Sequence, residues 1–198
     1  MKRIGIFGGA FDPPHLGHLV LADRALAELA LDEVCFVPCA AQPLKGHLVA
    51  EGELRLALTR LLVTGRPEFT VCDLELTRGG VSYTVDTVRQ LHAARPQTEW
   101  WLLLGADALA DFPRWRAPRE ILQHTRLGVA ERPGSPLAEL LPTLPAWLTE
   151  QVDPFAMPAL AIASRDLRRD LAAGRSARYL LPAPVLEEIR KLRLYSSA

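Results

Sequence analysis

Cysteine is scarce: Cys35, Cys39 and Cys72 are the only three in 198 residues, and no two form a CxxC pair. Cys35 and Cys39 bracket an extended stretch of roughly 13 Å, beyond the reach of a disulfide. They are expected to be reduced thiols of a cytoplasmic protein, and their spacing does not suit zinc. Charge of one sign is also missing, since 23 Lys and Arg balance 23 Asp and Glu. That balance argues against nucleic-acid and membrane partners, and any anion must be held locally. Long hydrophobic runs are absent: no eighteen consecutive residues are apolar, and "MKRIGIFGG" has neither the apolar stretch nor the cleavage site of a signal peptide. Internal repeats and low-complexity tracts are lacking too. The length is expected to fold as one domain, 1–198.

What is present is an alternation. Short apolar runs read as strands: "RIGIF", "EVCFVP", "FTVCDLEL", "WWLLLG", "RLGVAE" and "ALAIAS". Between them, 15–30, 52–64, 84–95 and 116–124 carry helical spacing. The pattern predicts an α/β fold, a Rossmann-like, doubly wound and mainly parallel sheet covered by helices. Proline-rich 133–158 is expected to form a broken helix and loop at the sheet's edge. "SRDLRRDLAAG" predicts a helix with Ser164 at the N-cap and Gly174 just past its end.

The stretch "GIFGGAFDPPHLGH", residues 5–18, does not fit a role in packing alone. Gly8 and Gly9 let the chain turn tightly at a strand's carboxyl end, where open parallel sheets bind ligands. Pro13 and Pro14 fix the start of a helix. His15 and His18, three apart, then fall on one side of its first turn, with Gly17 leaving a gap between them. Backbone donors, the helix dipole and two imidazoles together make a site for phosphate. A generic βα turn with surface histidines is the bland alternative, but it leaves this combination of residues in one unit unexplained.

"GGAFDPPHLGH" resembles the signature of the bacterial nicotinate-mononucleotide adenylyltransferases, within the HxGH nucleotidyltransferase superfamily. "SYTVDTVRQL" (82–91), "LLGADALADFPRW" (103–115), "ERPG" (131–134) and "GRSARYLLPAPVLEEI" (174–189) follow in that family's order. The resemblance implies adenylyl transfer from ATP, accompanied by Mg²⁺, to nicotinate mononucleotide, giving deamido-NAD and pyrophosphate. It implies that His15 and His18 are catalytic and that Gly8, Gly9, Gly105, Asp107, Ser164 and Arg168 join them in binding ATP. Ala10, Phe11, Lys45, Ser82, Tyr83, Thr84, Trp115 and Arg132 would bind the acceptor. Trp115 would stack on the pyridine, and the start of the helix after Ser82 would meet its carboxylate. Asp107 is also readable as a helix N-cap. No resident metal site and no nucleic-acid or membrane partner is implied, and a homo-oligomer stays open.

Three positions depart from the family's pattern: Leu44 before Lys45, and Ala163 and Arg165 in "IASRDLR", where ISSTxIR is usual. Alternatives remain at this stage. Pantetheine-phosphate adenylyltransferases and cytidylyltransferases share the first motif but lack "SYTVDT". A class I aminoacyl-tRNA synthetase would need a KMSKS-like loop that is not there. A nucleotide sensor that kept the pocket and lost turnover is the non-enzymatic reading.

Overall fold

The computed structural model describes residues 1–41, 48–131 and 137–196. Six strands form one sheet in the order β3-β2-β1-β4-β5-β6, with β1 at Lys2–Gly9, β2 at Glu33–Pro38, β3 at Phe69–Val71, β4 at Thr98–Gly105, β5 at Arg126–Glu131 and β6 at Val152–Ala156. The order reverses direction next to β1, as in doubly wound sheets. The expected α/β, Rossmann-like class is borne out. The described residues group into two compact units, each taken by itself below.

The first unit comprises 1–8, 21–35 and 83–159. β1, β4, β5 and β6 pair in parallel, in the registers Ile4↔Trp100, Leu103↔Gly128 and Leu127↔Val152. Apolar runs such as "WWLLL" are buried throughout, as parallel strands require. Leu103 lies against both Gly5 and Gly128: a Cβ at either glycine would come within 2.9 Å of a Leu103 methyl group. The unit also holds α4 (Thr84–Ala94), α5 (Ala106–Asp111), α6 (Pro118–His124), α7 (Leu137–Leu140) and α8 (Ala146–Thr149). On β6, Asp153 accepts hydrogen bonds from Trp101 Nε1 at 2.8 Å and from both Nε and Nη2 of Arg126. The guanidinium holds the Asp153 carboxyl below its ordinary range despite some burial.

The second unit comprises 9–20, 36–82 and 160–198. It contains the first turn of α1 (Leu16–Glu28), together with α2 (Gly52–Val63), α3 (Leu74–Arg78), α9 (Ser164–Ala172) and α10 (Ala183–Lys191). Phe36 stands between two rings, Phe11 at 5.8 Å and Phe69 at 5.6 Å. The peptide bond Asp12-Pro13 is cis.

Most elements coincide with their expected positions, but three do not. "FTVCDLEL" is a strand only over Phe69–Val71, after which α3 begins at Leu74. "ALAIAS" is not a strand; the sixth strand is Val152–Ala156, inside the stretch expected to be loop. α9 begins at Ser164 itself with Ala163 as its cap residue, so Ser164 is not the N-cap. Gly174 does lie just past the helix end, with φ +68°. Among the described residues, no helix is long and apolar enough to cross a membrane.

Candidate active site

In the second unit the signature stretch builds a compact polar turn. Phe11 has φ +49°, a left-handed conformation that costs a bulky residue about 1 kcal/mol or more. Its ring is 1% exposed and meets His18 edge-on at 5.0 Å. Phe11 thus supports His18 from within the core, and only its backbone faces the turn. A Cβ at Gly9 would come 3.0 Å from that ring.

His15 and His18 lie together as expected, with stacked rings 3.7 Å apart. His15 precedes α1, and its N–H donates to Nδ1 of His18 at 3.0 Å. In return the N–H of His18 donates to the His15 carbonyl at 2.9 Å. His18 therefore occupies the place of the Glu or Gln in a capping box. An Nδ1 that accepts cannot carry the proton, so neutral His18 is the Nε2–H tautomer, a donor at a helix N-terminus. The first turn of α1 holds no acidic residue to oppose an anion. Gly17 is needed beneath His15, because a Cβ there would lie 3.0 Å from its Nδ1.

Ser164 and Arg168, both on α9, reach this same turn. Ser164 Oγ donates to the Pro13 carbonyl at 2.9 Å, and Arg168 Nη1 donates to the Asp12 carbonyl. Among the described residues, the remaining N–H groups of Arg168 make no hydrogen bond, and its side chain is 28% exposed. Arg165 is 85% exposed and ion-pairs with Asp166 at 3.9 Å. Ser82 is buried, and its Oγ accepts from the Ala40 N–H at 2.9 Å.

Two residues that sequence reasoning passed over organise this unit. Arg55, 1% exposed, donates to the carbonyls of Ala10 at 2.7 Å, Cys39 at 2.7 Å and Ala50 at 3.0 Å, tying the signature turn to the chain after β2. Its place in an apolar helix pattern was the available signal. Asp12 accepts from the N–H groups of Val49 and Ala50. Burial pushes the Cys39 thiol up to about 11, which makes it a packing group and not a nucleophile.

In the first unit, Gly105 caps α5 and Asp107 is its second residue, exposed; the N-cap reading of Asp107 is corrected accordingly. A Cβ at Gly105 would strike Asp107 Oδ1 at 2.7 Å, so the glycine admits the carboxylate over the turn. Gly8 has open space where a Cβ would stand. Tyr83 precedes α4 and Thr84 opens it, with no side-chain cap on the helix. Arg116, also unforeseen, lays its guanidinium 4.6 Å from the Tyr83 ring and adds a cation there. Trp115 is partly buried and packs on Phe112 at 5.2 Å. Lys45 and Arg132 lie outside the described residues.

The cytidylyltransferase-like family model matches residues 6–170. A probable nicotinate-nucleotide adenylyltransferase of Herpetosiphon aurantiacus is 40% identical, covering 98% of this chain and 99% of that protein. One of the same description from Thermus thermophilus is 43% identical over 98% and 99%. In fold, the chain is similar to the Plasmodium falciparum nicotinic acid mononucleotide adenylyltransferase complexed with NaAD, with a TM-score of 0.81, 20% identity and 98% coverage of each chain.

Proposed function

We propose that this chain, which belongs to the nicotinate-nucleotide adenylyltransferase family of cytidylyltransferase-like enzymes, joins ATP to nicotinate mononucleotide, giving nicotinate adenine dinucleotide and pyrophosphate for NAD biosynthesis. The observation that carries the chemistry is the His15–His18 pair, with its Nε2–H tautomer at a helix N-terminus.

The acceptor's own phosphate is the nucleophile. It is already ionised near neutral pH, so no general base is required. One of its oxygens forms a bond to the α-phosphorus of ATP as the bond from that phosphorus to the β-phosphate bridge breaks, and the electron pair leaves with pyrophosphate. The protein's work is alignment and charge stabilisation. His18 Nε2–H donates to the developing charge, His15 stacks beside it, and the open N–H groups of Arg168 hold the triphosphate. Gly8 and Gly9 leave the backbone accessible, and Ser164 fixes the turn by its bond to Pro13. Gly105 and Asp107 receive the nucleoside, the carboxylate accepting from ribose hydroxyls. Tyr83, Thr84 and Trp115 receive the pyridine ring and its carboxylate, while the backbone of Ala10 and Phe11, with Ser82, Lys45 and Arg132, completes the acceptor's set.

Enzymes that transfer nucleotides from ATP work with a divalent ion. Among the described residues, no group of three or more His, Cys, Asp and Glu is arranged to hold one. In this reading Mg²⁺ enters with ATP, bound to its phosphates as part of the substrate. A cytoplasmic setting belongs to the same reading and is supported by three thiols outside any disulfide.

Product chromatography after incubation with Mg²⁺, ATP and, in turn, nicotinate mononucleotide, nicotinamide mononucleotide and phosphopantetheine tests the reading. Nicotinate adenine dinucleotide with equimolar pyrophosphate is expected. A folded protein that yields no dinucleotide overturns it, and tight ATP binding without turnover would establish the sensor.

A further inference from the structure

Asp12 lies in the middle of the signature turn and is 1% exposed. Its carboxylate is nevertheless surrounded by donors: the N–H of Val49 at 2.7 Å, the N–H of Ala50 at 3.2 Å and the hydroxyl of Tyr195 at 2.7 Å. Arg168 Nη1 stands 3.8 Å from Oδ2, outside hydrogen-bond range, while donating to the carbonyl of the same residue. The carboxylate is thus satisfied mainly by neutral donors, and the guanidinium is attracted without being captured.

Tyr195 comes from the far end of the chain, 183 residues away. Beyond α10 the backbone turns through two left-handed residues, Arg193 at φ +51° and Tyr195 at φ +61°, secured by the Leu194 N–H on the Ile189 carbonyl at 2.9 Å. Such conformations are uncommon for side chains of this size and persist where surrounding contacts impose them. Here they carry the phenol inward until the residue is 9% exposed. Burial and the neighbouring Asp12 both push its ionisation upward, so it stays a neutral donor at every working pH.

We infer that Tyr195 is a positioning residue for ATP: by occupying the Asp12 carboxylate, its hydroxyl keeps Arg168 from closing onto that carboxylate, so the guanidinium remains open to the triphosphate. Without the hydroxyl, Asp12 Oδ1 loses a donor in a site closed to solvent, and Arg168 is the cation at hand to compensate. Each hydrogen bond that it makes to Asp12 is one withdrawn from phosphate. The inference rests on Arg168 binding ATP.

The test compares Tyr195→Phe, Arg168→Ala and the double variant by steady-state kinetics and melting temperature. Tyr195→Phe is expected to raise KM for ATP roughly tenfold, with kcat and KM for nicotinate mononucleotide within about twofold of wild type. In the Arg168→Ala background the same change should have no further effect on KM, because the guanidinium it acts through is gone. Asp12→Asn gives a second route that does not depend on Tyr195→Phe folding. With no carboxylate to capture Arg168, Asp12→Asn should not raise KM for ATP, and a rise like that of Arg168→Ala in a folded Asp12→Asn would overturn the capture. A folded Tyr195→Phe with wild-type KM for ATP beside an impaired Arg168→Ala overturns the positioning role and leaves the ATP site standing. Additive losses in the double variant overturn it as well. An Arg168→Ala variant with unchanged KM overturns both.

Discussion

The backbone N–H of His15 donates to Nδ1 of His18, so one imidazole both caps α1 and carries its proton on the opposite nitrogen. The two duties can be separated by substitution. His18→Ala is expected to lower kcat by roughly 10²- to 10³-fold, the scale for removing a preorganised donor. It should also cost about 1 kcal/mol of stability, since the capping hydrogen bond goes with it. His18→Gln, whose amide oxygen can accept from His15 as in a capping box, should recover the stability and not the rate. Parallel kcat and thermal-melt measurements on the two variants check this; equal melting temperatures for Ala and Gln would disprove the capping role.

Gly17→Ala puts a methyl group about 3.0 Å from the His15 ring. Alanine favours the helix over glycine by about 1 kcal/mol, so melting temperature should hold or rise. Displacing His15 should meanwhile cut kcat by roughly tenfold or more, as small misplacements of catalytic groups do. A variant that is stable and fully active would show that His15 has room to move.

The arginines of α9 differ in exposure, 28% for Arg168 against 85% for Arg165. Arg165→Ala should leave KM for ATP within about twofold, whereas loss of Arg168, hydrogen-bonded at the turn, should raise it by roughly an order of magnitude. ATP titrations of both single variants decide the matter. A larger loss at Arg165 would place the triphosphate on the departing residue.

The start of α4 lacks a side-chain cap and has the Arg116 guanidinium against Tyr83. Nicotinate carries a carboxylate for those donors and nicotinamide does not, so kcat/KM should favour nicotinate mononucleotide by on the order of 10²-fold. Arg116→Ala should shrink that ratio, while Trp115→Ala should weaken both acceptors alike, because stacking reads the ring and not its charge. Both ratios come from kcat/KM for the two acceptors, and a ratio that collapses in Trp115→Ala contradicts the assignment.

Asp153 supplies a pH-dependent prediction away from catalysis. Its folded-state pKa is depressed by the hydrogen-bonded Arg126, so its contribution is present above the ordinary aspartate value of about 3.9 and disappears as pH falls through the lower, folded value. Asp153→Asn should therefore lower stability at pH 7 by on the order of 1 kcal/mol given the pair's partial exposure, with a lower melting temperature, and the difference should vanish in strong acid. Melts across pH 2–7 check the convergence.

Local sequence carries the strand-helix alternation, the sheet class and the polar turn after β1. Apolar periodicity and turn chemistry are local, and "EVCFVP", "RLGVAE" and the helices at 52–64 and 84–95 carry them in full. The tertiary structure decided the rest. "VDPFA" is an edge strand whose polar residues reveal no strand period, and it exists through pairing with β5; "ALAIAS" has the apolar character of a strand and forms none. Ser164 gives its hydroxyl to Pro13, 151 residues away, instead of capping its own helix. Arg55 and Asp12 are buried charges held by partners far along the chain, among them backbone carbonyls and N–H groups that every residue possesses. Such partners leave no mark in a sequence, because only folding brings them to the charge.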